Sequence, residues 1–188
     1  FPYFRWVFFY DDHFTLNKSR VIRLCEEFRE KKFGLLWGCY GRIDSLDRPL
    51  LEAMKEAGCR MISFGVESGS ERTLRIMDKK ISRQKIEQTL ALVKSVGIMA
   101  RCSFLFNYPG ERLVDAFATI NLIKKARLNE EEVVFGWRPI LYPGTKLYSE
   151  LQARGYLPEG FNWCQKFSIP HYKDVPVYTS GWIKTKKI

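Results

Sequence analysis

Residues 58–74 read GCRMISFGVESGSERTL, and this stretch decides the fold. Gly58 is predicted to end a helix, because glycine tolerates the left-handed backbone conformation that helix ends often need. An apolar strand is predicted over residues 61–66, and a polar Gly/Ser loop and a helix come after it. The same junction of helix, glycine and strand recurs at Gly34 and Gly97. Three such junctions predict right-handed β-α-β connections and therefore a parallel sheet.

The same alternation of apolar runs and amphipathic segments extends along the chain. The run at residues 4–10 is almost entirely aromatic or aliphatic, which is typical of a strand buried on both faces. In the helix predicted over residues 113–127, the spacing of Leu113, Phe117 and Ile120 predicts that these side chains face inward. Strands are predicted at residues 4–10, 35–40, 61–66, 98–106 and 133–137, and helices at 17–32, 47–57, 71–77, 82–96, 113–127 and 146–154.

Five strands with their helices fit two kinds of α/β fold. They can form a partial or complete barrel or a doubly wound sheet, and periodicity alone does not decide between them. Beyond Gly155 the pattern fades into an aromatic segment that contains prolines. Residues 1–155 are therefore predicted as the α/β core, and residues 156–188 as a C-terminal extension.

The bulk composition describes one packed domain. The chain has 188 residues, of which 46% are hydrophobic, and this suffices for a single sizeable core. Its apolar runs stay well below the roughly 18–20 residues of a membrane span, and its start does not resemble a signal peptide, so a cytoplasmic location is expected. The chain opens at Phe1, close to a predicted strand, rather than at a methionine. We therefore expect a fragment of a longer protein.

Charge and cysteine usage narrow the range of partners. A net charge of +10 favours anionic partners such as RNA, nucleotides or acidic membrane surfaces. The basic residues are spread along the predicted helices, however, which is typical of solvated helix faces. The five cysteines include no closely spaced pair, which excludes a zinc knuckle or a CxxC motif. We expect buried free thiols in a reducing compartment and assign no metal ligand to this chain.

Polar residues follow each predicted strand, where ligands bind in parallel α/β folds. Carboxylates at two strand ends can bind ribose hydroxyls or an ammonium group, and an arginine can hold a carboxylate bidentately. By themselves the acidic residues fit turns and helix caps equally well. The residues concerned are Asp11 and Asp12 after the first strand, Arg42 after the second, Glu67 and Ser68 after the third, and Asn107 after the fourth.

Taken in order, these segments closely resemble the radical S-adenosylmethionine (SAM) superfamily. They are most similar to the branch whose members often carry an N-terminal cobalamin-binding domain. The resemblance runs from about residue 4 to residue 155, and it rests on several motifs that occur in the family's order. These are residues 9–15, 37–44, 57–70, 74–80, 107–111 and 143–145.

The resemblance implies a fold and a chemistry. The fold is a partial (βα)6 TIM-like barrel, of which this chain supplies strands two to six. The implied cofactors are SAM and a 4Fe-4S cluster, with cobalamin as a further cofactor of this branch. In the family the cluster donates an electron, the sulfonium bond of SAM breaks, and a 5′-deoxyadenosyl radical abstracts hydrogen from the substrate.

The resemblance also implies roles for the loops. The loop after the first strand holds the methionine amino group, the loop after the third faces the ribose or the methionine end, and Arg42 partners the carboxylate. Asn107 and Leu141 lie where the adenine and its neighbours pack. The implied cofactor-binding residues are Asp11, Asp12, Arg42, Glu67, Ser68, Asn107 and Leu141; no catalytic residue is assigned.

The chain departs from the family pattern in two places. The cysteine motif CxxxCxxC is absent from the sequence, and Asn107 stands where many relatives have glycine. We therefore expect a fragment that is inactive alone, with the cluster cysteines before Phe1. The parent would be a radical SAM enzyme of methyl transfer or methylthiolation, acting on a small molecule or RNA with flavodoxin or ferredoxin as reductant.

Two alternatives stay open on the sequence alone. The first is a non-catalytic barrel without a cluster that serves as a scaffold for RNA or another ligand, which the positive charge favours. The second is an ordinary α/β barrel enzyme in which Asp11, Asp12 and Glu67 bind magnesium or manganese, since carboxylates are suitable ligands for these ions.

Overall fold

The structure, a computed structural model, describes residues 6–136 and 139–155. The predicted C-terminal extension, residues 156–188, lies outside the described residues. The strands are β1 Trp6–Phe9, β2 Leu36–Tyr40, β3 Cys59–Glu67, β4 Met99–Leu105 and β5 Val133–Gly136. The helices are α1 Lys18–Glu30, α2 Arg48–Glu56, α3 Glu71–Ile76, α4 Arg83–Ser95, α5 Leu113–Lys125 and α6 Lys146–Ala153, and a short 3-10 turn, Glu130–Glu132, precedes β5.

All five described strands form one parallel sheet in the order β1-β2-β3-β4-β5. A doubly wound sheet reverses its strand order near the middle, whereas a barrel adds each new strand beside the previous one. With right-handed connections throughout, a sequential order puts every helix on the same side of the sheet. The strand order therefore confirms the predicted α/β fold and selects the barrel type.

The two faces of the sheet have different environments, as β4 illustrates. Ala100, Cys102 and Phe104 are almost fully buried in the core under the helices. Side chains alternate along a strand, so Arg101 and Ser103 project from the opposite side, which we call the inner face. Arg101 is exposed and Ser103 is half-buried. This open inner face is the surface that a closed barrel turns toward its interior.

Strand β1 is less buried than predicted. It was predicted to be buried on both faces, but Trp6 is 43% exposed and the other three residues of the strand are only half-buried. Val7 and Phe9 pack against the core, while the inner face of the strand is open. Within the described sheet β1 pairs with β2 alone, so an aromatic composition does not by itself predict burial at a sheet edge.

Trp37 on β2 is the centre of the aromatic core. Its side chain is fully buried, and its indole N–H donates to the carbonyl of Ala57 at 2.9 Å. The rings of Phe9, Phe14 and Phe28 surround it at centroid distances between 5.6 and 6.3 Å. Gly58, beside Ala57, has a φ of +96°. The glycine that was predicted to end α2 therefore also forms the tight connection between α2 and β3.

Polar caps start most of the helices where the sequence predicts them. The side chains of Asp47 and Ser82 each accept a hydrogen bond from a backbone N–H in the first turn of α2 and α4. Such caps satisfy N–H groups that have no partner within the helix. None of the helices in the described part of the chain is long and apolar enough to cross a membrane.

Helix α5 contradicts the predicted inward face. Leu113, Phe117 and Ile120 are 56%, 55% and 38% exposed. The helix instead buries four other residues, two of them polar: Asp115, Ala116, Thr119 and Leu122. The physical reason is that the polar pair makes hydrogen bonds to the loop after β3, and these bonds set the rotation of the helix.

Candidate functional site

The carboxyl ends of β1, β2 and β3 surround a cavity of ≈ 280 Å³. Parallel strands direct these ends, and the loops behind them, to one edge of the sheet. The cavity is lined by charged groups from three loops together with backbone at glycine positions. The polar and glycine residues at its wall include Asp12, His13, Arg42, Gly65, Lys79 and Lys80.

Glu67 and Lys79 form an acid–base pair at the edge of this cavity. Lys79 Nζ lies 3.6 Å from Glu67 Oε1 and donates a hydrogen bond to the carbonyl of Gly65 at 3.3 Å. A Cβ at Gly65 would lie 2.7 Å from the same Glu67 oxygen, so only glycine leaves the carboxylate in this position. Glu67 itself has a φ of +67°, an uncommon conformation that turns the chain sharply at the strand end.

The structure separates the two aspartates that follow β1. Asp12 lines the cavity. Asp11 instead accepts a hydrogen bond from the backbone N–H of His13 at 3.1 Å and pairs with Arg20 of α1 at 2.8 Å. The hydrogen bond from His13 and the Arg20 guanidinium hold the pKa of Asp11 below its ordinary value. Asp11 therefore fastens the turn to α1, and Asp12 is the aspartate that faces the cavity.

Arg42 lies in the cavity wall but already has a carboxylate partner. Its Nε and Nη2 donate to the two oxygens of Asp44 at 2.9 and 2.8 Å. This bidentate contact with Arg42 lowers the pKa of Asp44. A ligand carboxylate would have to compete with Asp44 for the guanidinium group, whereas Lys79 meets its own carboxylate partner, Glu67, only through a single contact of 3.6 Å.

Ser68 holds the loop after β3 rather than facing the cavity. Its side chain is fully buried. The Ser68 hydroxyl lies 3.2 Å from that of Thr119 on α5 and accepts from the backbone N–H of Ser70. Thr119 also accepts from the N–H of Gly69 at 2.9 Å. Because Glu67 precedes these residues directly, the contacts with α5 fix where its carboxylate lies.

The β3–α3 loop is held to α5 by a second group, Asp115. Ser70 Oγ donates to one carboxylate oxygen of Asp115 at 2.7 Å, and Arg72 donates to the other at 2.8 Å. The backbone N–H of Arg112 also donates to Asp115, at 2.9 Å. The carboxylate is 5% exposed, so these donors, together with Arg112 Nε at 3.4 Å, satisfy a charge that would otherwise be costly to bury. The arrangement gives the glycine-rich loop a rigid support.

The backbone conformation of Asn107 accounts for the glycine that many family members have at this position. Its φ is +64°, in the left-handed region that glycine adopts freely and that asparagine tolerates best among other residues. Its backbone N–H donates to the carboxylate of Glu111, which is itself buried. Burial raises the pKa of Glu111. Glu111 was not among the predicted site residues, although it belongs to the same motif.

We predict that Asn107→Gly will have a higher free energy of unfolding than Asn107→Ala, by about 1 kcal/mol. Both changes remove the buried amide, so their difference isolates the cost of a left-handed alanine. At positions with ordinary φ the order is reversed, because glycine loses more chain entropy on folding. Urea unfolding of the two variants measures the difference, and alanine being the more stable would contradict the strained turn.

Leu141, predicted near the adenine, is fully buried. Its side chain is therefore enclosed by other protein atoms, and its contact with a ligand stays a prediction. The sequence did not single out Lys79, because it lies between α3 and α4 and not at a strand end. Its position inside the motif at residues 74–80 was the signal that could have identified it.

The described residues give no support to the divalent-metal alternative. They contain no group of three or more His, Cys, Asp or Glu side chains that could hold a metal ion. Asp11 pairs with Arg20 and Glu67 with Lys79, so two of the three acidic residues of the alternative are already matched with a cation. The prediction of buried free thiols is confirmed for Cys25, Cys39, Cys59 and Cys102; Cys164 lies outside the described residues.

The chain belongs to the radical SAM superfamily, whose family model matches residues 4–123. It is 30% identical over 175 residues to an uncharacterized methyltransferase of Pyrococcus horikoshii, covering 93% of this chain and 37% of that protein. It is 34% identical over 89 residues to a candidate methylthiotransferase of Methanocaldococcus jannaschii, covering 47% of this chain and 20% of that protein. The chain thus spans only a minor part of the relatives it matches.

A solved structure supports the same fold. The radical SAM methyltransferase TsrM of Kitasatospora setae, with cobalamin and a [4Fe-4S] cluster bound, superimposes with a TM-score of 0.70. The match covers 80% of this chain and 31% of that protein, at 18% identity. At this identity the likeness concerns the fold, and it agrees with the partial barrel that the strand order indicates.

Proposed function

We propose that this chain is the SAM-binding part of a longer radical SAM enzyme that transfers a methyl or methylthio group. The observation that carries the proposal is the cavity at the strand ends, where Asp12 and Lys79 line the wall and the Glu67 carboxylate lies against Lys79 and Gly65. Acidic and basic groups together match a zwitterionic nucleoside. The family membership of the chain gives that nucleoside its identity as SAM.

Each group in the proposed SAM site has a distinct task. Asp12 pairs with the methionine ammonium group, and Lys79 pairs with the methionine carboxylate. Glu67 accepts hydrogen bonds from ribose hydroxyls, and the absence of a side chain at Gly65 leaves room for the Glu67 carboxylate. The buried contacts of Ser68 with α5 hold Glu67 in place, so the site is organised before the ligand binds.

The cysteines of this chain do not fit the 4Fe-4S cluster that the family uses. Burial raises the pKa of Cys25 and of Cys102 to about 12. A hydrogen bond with Cys59, together with burial, raises that of Cys39 as well. Only thiolates ligate iron, and the widely spaced thiols of the sequence do not form the family motif. We therefore assign the cluster ligands to the remainder of the parent protein.

A cluster held by the remainder of the parent protein would supply the electron for cleavage of the sulfonium bond of SAM. The role of this chain in that step is to orient the sulfonium end by holding the ribose and the amino acid group on either side of it. The named activities of the relatives and the cobalamin in TsrM support cobalamin-dependent methyl transfer or methylthiolation. The substrate is a small molecule or RNA, and a flavodoxin or ferredoxin serves as the reductant.

The full-length parent protein tests this function directly. After anaerobic reconstitution with iron and sulfide, and with cobalamin added, we expect reductant-dependent release of 5′-deoxyadenosine from SAM. A protein that binds SAM but releases 5′-deoxyadenosine only at the rate of free SAM would contradict the radical mechanism. A protein that binds no SAM would contradict the assignment of the cavity as well.

We predict that Glu67→Gln in the parent protein raises the dissociation constant for SAM about 10-fold. The amide keeps the size of the side chain but loses the charge that accepts ribose hydrogen bonds and orients Lys79. Calorimetric titration with SAM measures the change. The matched control is Glu27→Gln on the exposed surface of α1, where Glu27 pairs with Lys31. Equal affinity in the two variants would remove Glu67 from the site.

A further inference from the structure

Arg101 stands on the inner face of the sheet. Its neighbours on either side along β4, Ala100 and Cys102, are fully buried in the core, whereas Arg101 is exposed. Since successive side chains of a strand point to opposite faces, the guanidinium group projects into the space that the barrel encloses. A charged residue in this position requires an explanation, because barrel interiors are usually filled by apolar side chains.

Arg101 belongs to a polar row that crosses three strands. Tyr40 on β2 is in register with Ser63 on β3, and Ser63 is in register with Arg101 on β4. Neighbouring strands lie about 4.8 Å apart, so the two hydroxyl groups and the guanidinium group lie side by side. Tyr40 and Ser63 both line the cavity at the strand ends. The row therefore continues the wall of that cavity deeper into the barrel.

Arg101 has no anionic partner among the described residues. The three lysine and arginine side chains that line the cavity are each matched: Arg42 with Asp44, Lys79 with Glu67 and Lys80 with Asp78. No hydrogen bond or ion pair ties the Arg101 guanidinium to the described part of the chain. A guanidinium group offers a planar set of donors that fits a carboxylate or a phosphate bidentately.

The depth of Arg101 separates it from the proposed SAM groups. Glu67 is in register with Phe104, three residues further along β4. Three residues of strand correspond to about 10 Å, so the backbone of Arg101 lies below the level of Glu67. It also lies two residues below Gly65, which Lys79 contacts. An anionic group held by Arg101 therefore belongs to a second molecule below SAM, which is where a radical formed at the strand ends would meet a substrate.

Aromatic rings lie next to the polar row. Phe8 contacts Tyr10 and Tyr40, with ring centroids 5.0 and 5.1 Å away, and Tyr10 contacts Tyr40 at 5.8 Å. Phe8 also approaches the inner side of Gly38, whose Cβ would lie 3.0 Å from its ring. Aromatic rings of this kind pack against flat, apolar bodies. In the described part of the chain, the inner face thus combines an apolar platform with the cation of Arg101.

We propose that Arg101 binds a carboxylate or phosphate group of the substrate, whose apolar body lies on the aromatic cluster of Phe8, Tyr10 and Tyr40. The proposal rests on the proposed function, because it takes the inner face of the sheet as the substrate chamber of a SAM enzyme. The hydroxyls of Tyr40 and Ser63 donate to the same anionic group. Arg101 is therefore a specificity residue that selects substrates with an oxyanion.

Small aromatic probes test this site in the full-length protein. Benzoate and phenyl phosphate carry a ring and one oxyanion, and benzamide is the neutral counterpart of benzoate. We expect the dissociation constant of at least one anionic probe to be about 10-fold lower than that of benzamide. Which of the two anions binds more tightly shows whether the substrate carries a carboxylate or a phosphate. Equal binding of all three probes would overturn the proposal.

Two substitutions assign the effect to Arg101. Arg101→Gln is expected to weaken the preferred anion about 10-fold or more, and to leave benzamide and SAM unchanged. Arg101→Lys is expected to restore part of the affinity, because it keeps the charge but not the bidentate geometry. Glu67→Gln should show the opposite pattern, with weaker SAM binding and unchanged binding of the anion.

The remaining outcomes are decisive as well. Weaker SAM binding in Arg101→Gln would mean that Arg101 holds the methionine carboxylate, which overturns the substrate assignment. Unchanged binding of the anions in Arg101→Gln would mean that Arg101 pairs with a carboxylate elsewhere in the parent, which overturns the proposal as well. Failure of SAM to bind the unaltered protein would contradict the proposed function, whereas probe binding that depends on Arg101 would still establish the oxyanion site.

Discussion

Replacing Gly69 with alanine is expected to lower the free energy of unfolding by about 3 kcal/mol, because the added methyl group has no room. A Cβ at this position would lie 2.6 Å from the carbonyl oxygen of Ala118 and 2.7 Å from the Cα of Thr119. Both atoms belong to the backbone of α5. The overlap is relieved only if the helix moves away from the loop, since no side-chain rotation can remove it. Urea unfolding monitored by circular dichroism measures the loss.

The sign of the Gly69 effect makes the prediction specific. Where φ is ordinary, replacing glycine with alanine commonly stabilises a protein by about 0.4–1 kcal/mol through the unfolded chain. Gly69 is not among the residues with positive φ, so only the contact with α5 reverses that sign. The matched control is Gly34→Ala, where φ is +62° and no atom lies within 4 Å of the added Cβ.

The control separates steric overlap from backbone strain. Gly34→Ala should lose only about 1 kcal/mol, the usual cost of a left-handed alanine. Equal losses in the two variants would contradict the packing explanation. If the proposed SAM site is correct, Gly69→Ala should also weaken SAM binding, because the displaced loop carries Glu67. Gly34→Ala should bind SAM normally.

Much of the fold follows from local signals in the sequence. Gly34, Gly58 and Gly97 were predicted as helix stops, and all three have positive φ values. Asp47 was predicted to cap a helix and does so. Each of these signals acts within a few residues, so the sequence displays it directly. The strand order, by contrast, depends on how distant segments pair, and periodicity alone does not decide between the barrel and the doubly wound sheet.

The rotation of α5 could not be predicted from periodicity. Leu113, Phe117 and Ile120 are spaced as a buried face would be, and the helix exposes them. What decides the rotation is the bonding of Asp115 and Thr119 to Ser70 and to the Gly69 loop, residues 45 and 50 positions away in the sequence. A buried polar group that is fully hydrogen-bonded outweighs a weak apolar preference. Hydrophobic spacing carries no information about such distant partners.

The sequence predicted which loops form the candidate site more accurately than it predicted which side chains face the cavity. Asp11 and Asp12 are adjacent in sequence, yet one pairs with Arg20 and the other lines the cavity. Neighbouring residues in a turn point in different directions, and the sequence does not specify which faces the ligand. Lys79 reaches the site from a helix connection, and its contact with Glu67 depends on the tertiary fold.

Replacing Asp115 with alanine is expected to lower the free energy of unfolding at pH 7 by about 4 kcal/mol. The substitution removes the acceptor of Ser70 Oγ, of Arg72 and of the Arg112 backbone N–H at once. Ser70 and the Arg112 N–H are then left without that partner in or near the core, and an unpaired buried donor costs about 1–3 kcal/mol. Arg72 is partly exposed, so water compensates for its loss in part.

The charge of Asp115 adds a dependence on pH. Burial opposes its ionisation most strongly, but the donors Ser70, Arg112 and Arg72 together outweigh burial and hold its pKa below the ordinary 3.8. The folded protein therefore releases this proton more readily than the unfolded chain. The stabilisation is complete well above pH 4 and is lost as the pH falls through the lowered pKa of the folded state.

Asp115→Asn removes the charge of the side chain and keeps its shape. The amide retains one acceptor oxygen, so we expect a loss of about 2 kcal/mol at pH 7, half of that for alanine. The difference between the unaltered protein and Asp115→Asn should shrink as the pH falls below about 4, because both then carry an uncharged group there. Glu27→Ala, which breaks an exposed ion pair with Lys31, should leave the free energy of unfolding almost unchanged, because solvent screens such pairs. A difference between Asp115→Asn and the unaltered protein that stays constant from pH 7 to pH 3 would mean that α5 is held by the shape of the aspartate, and not by its charge.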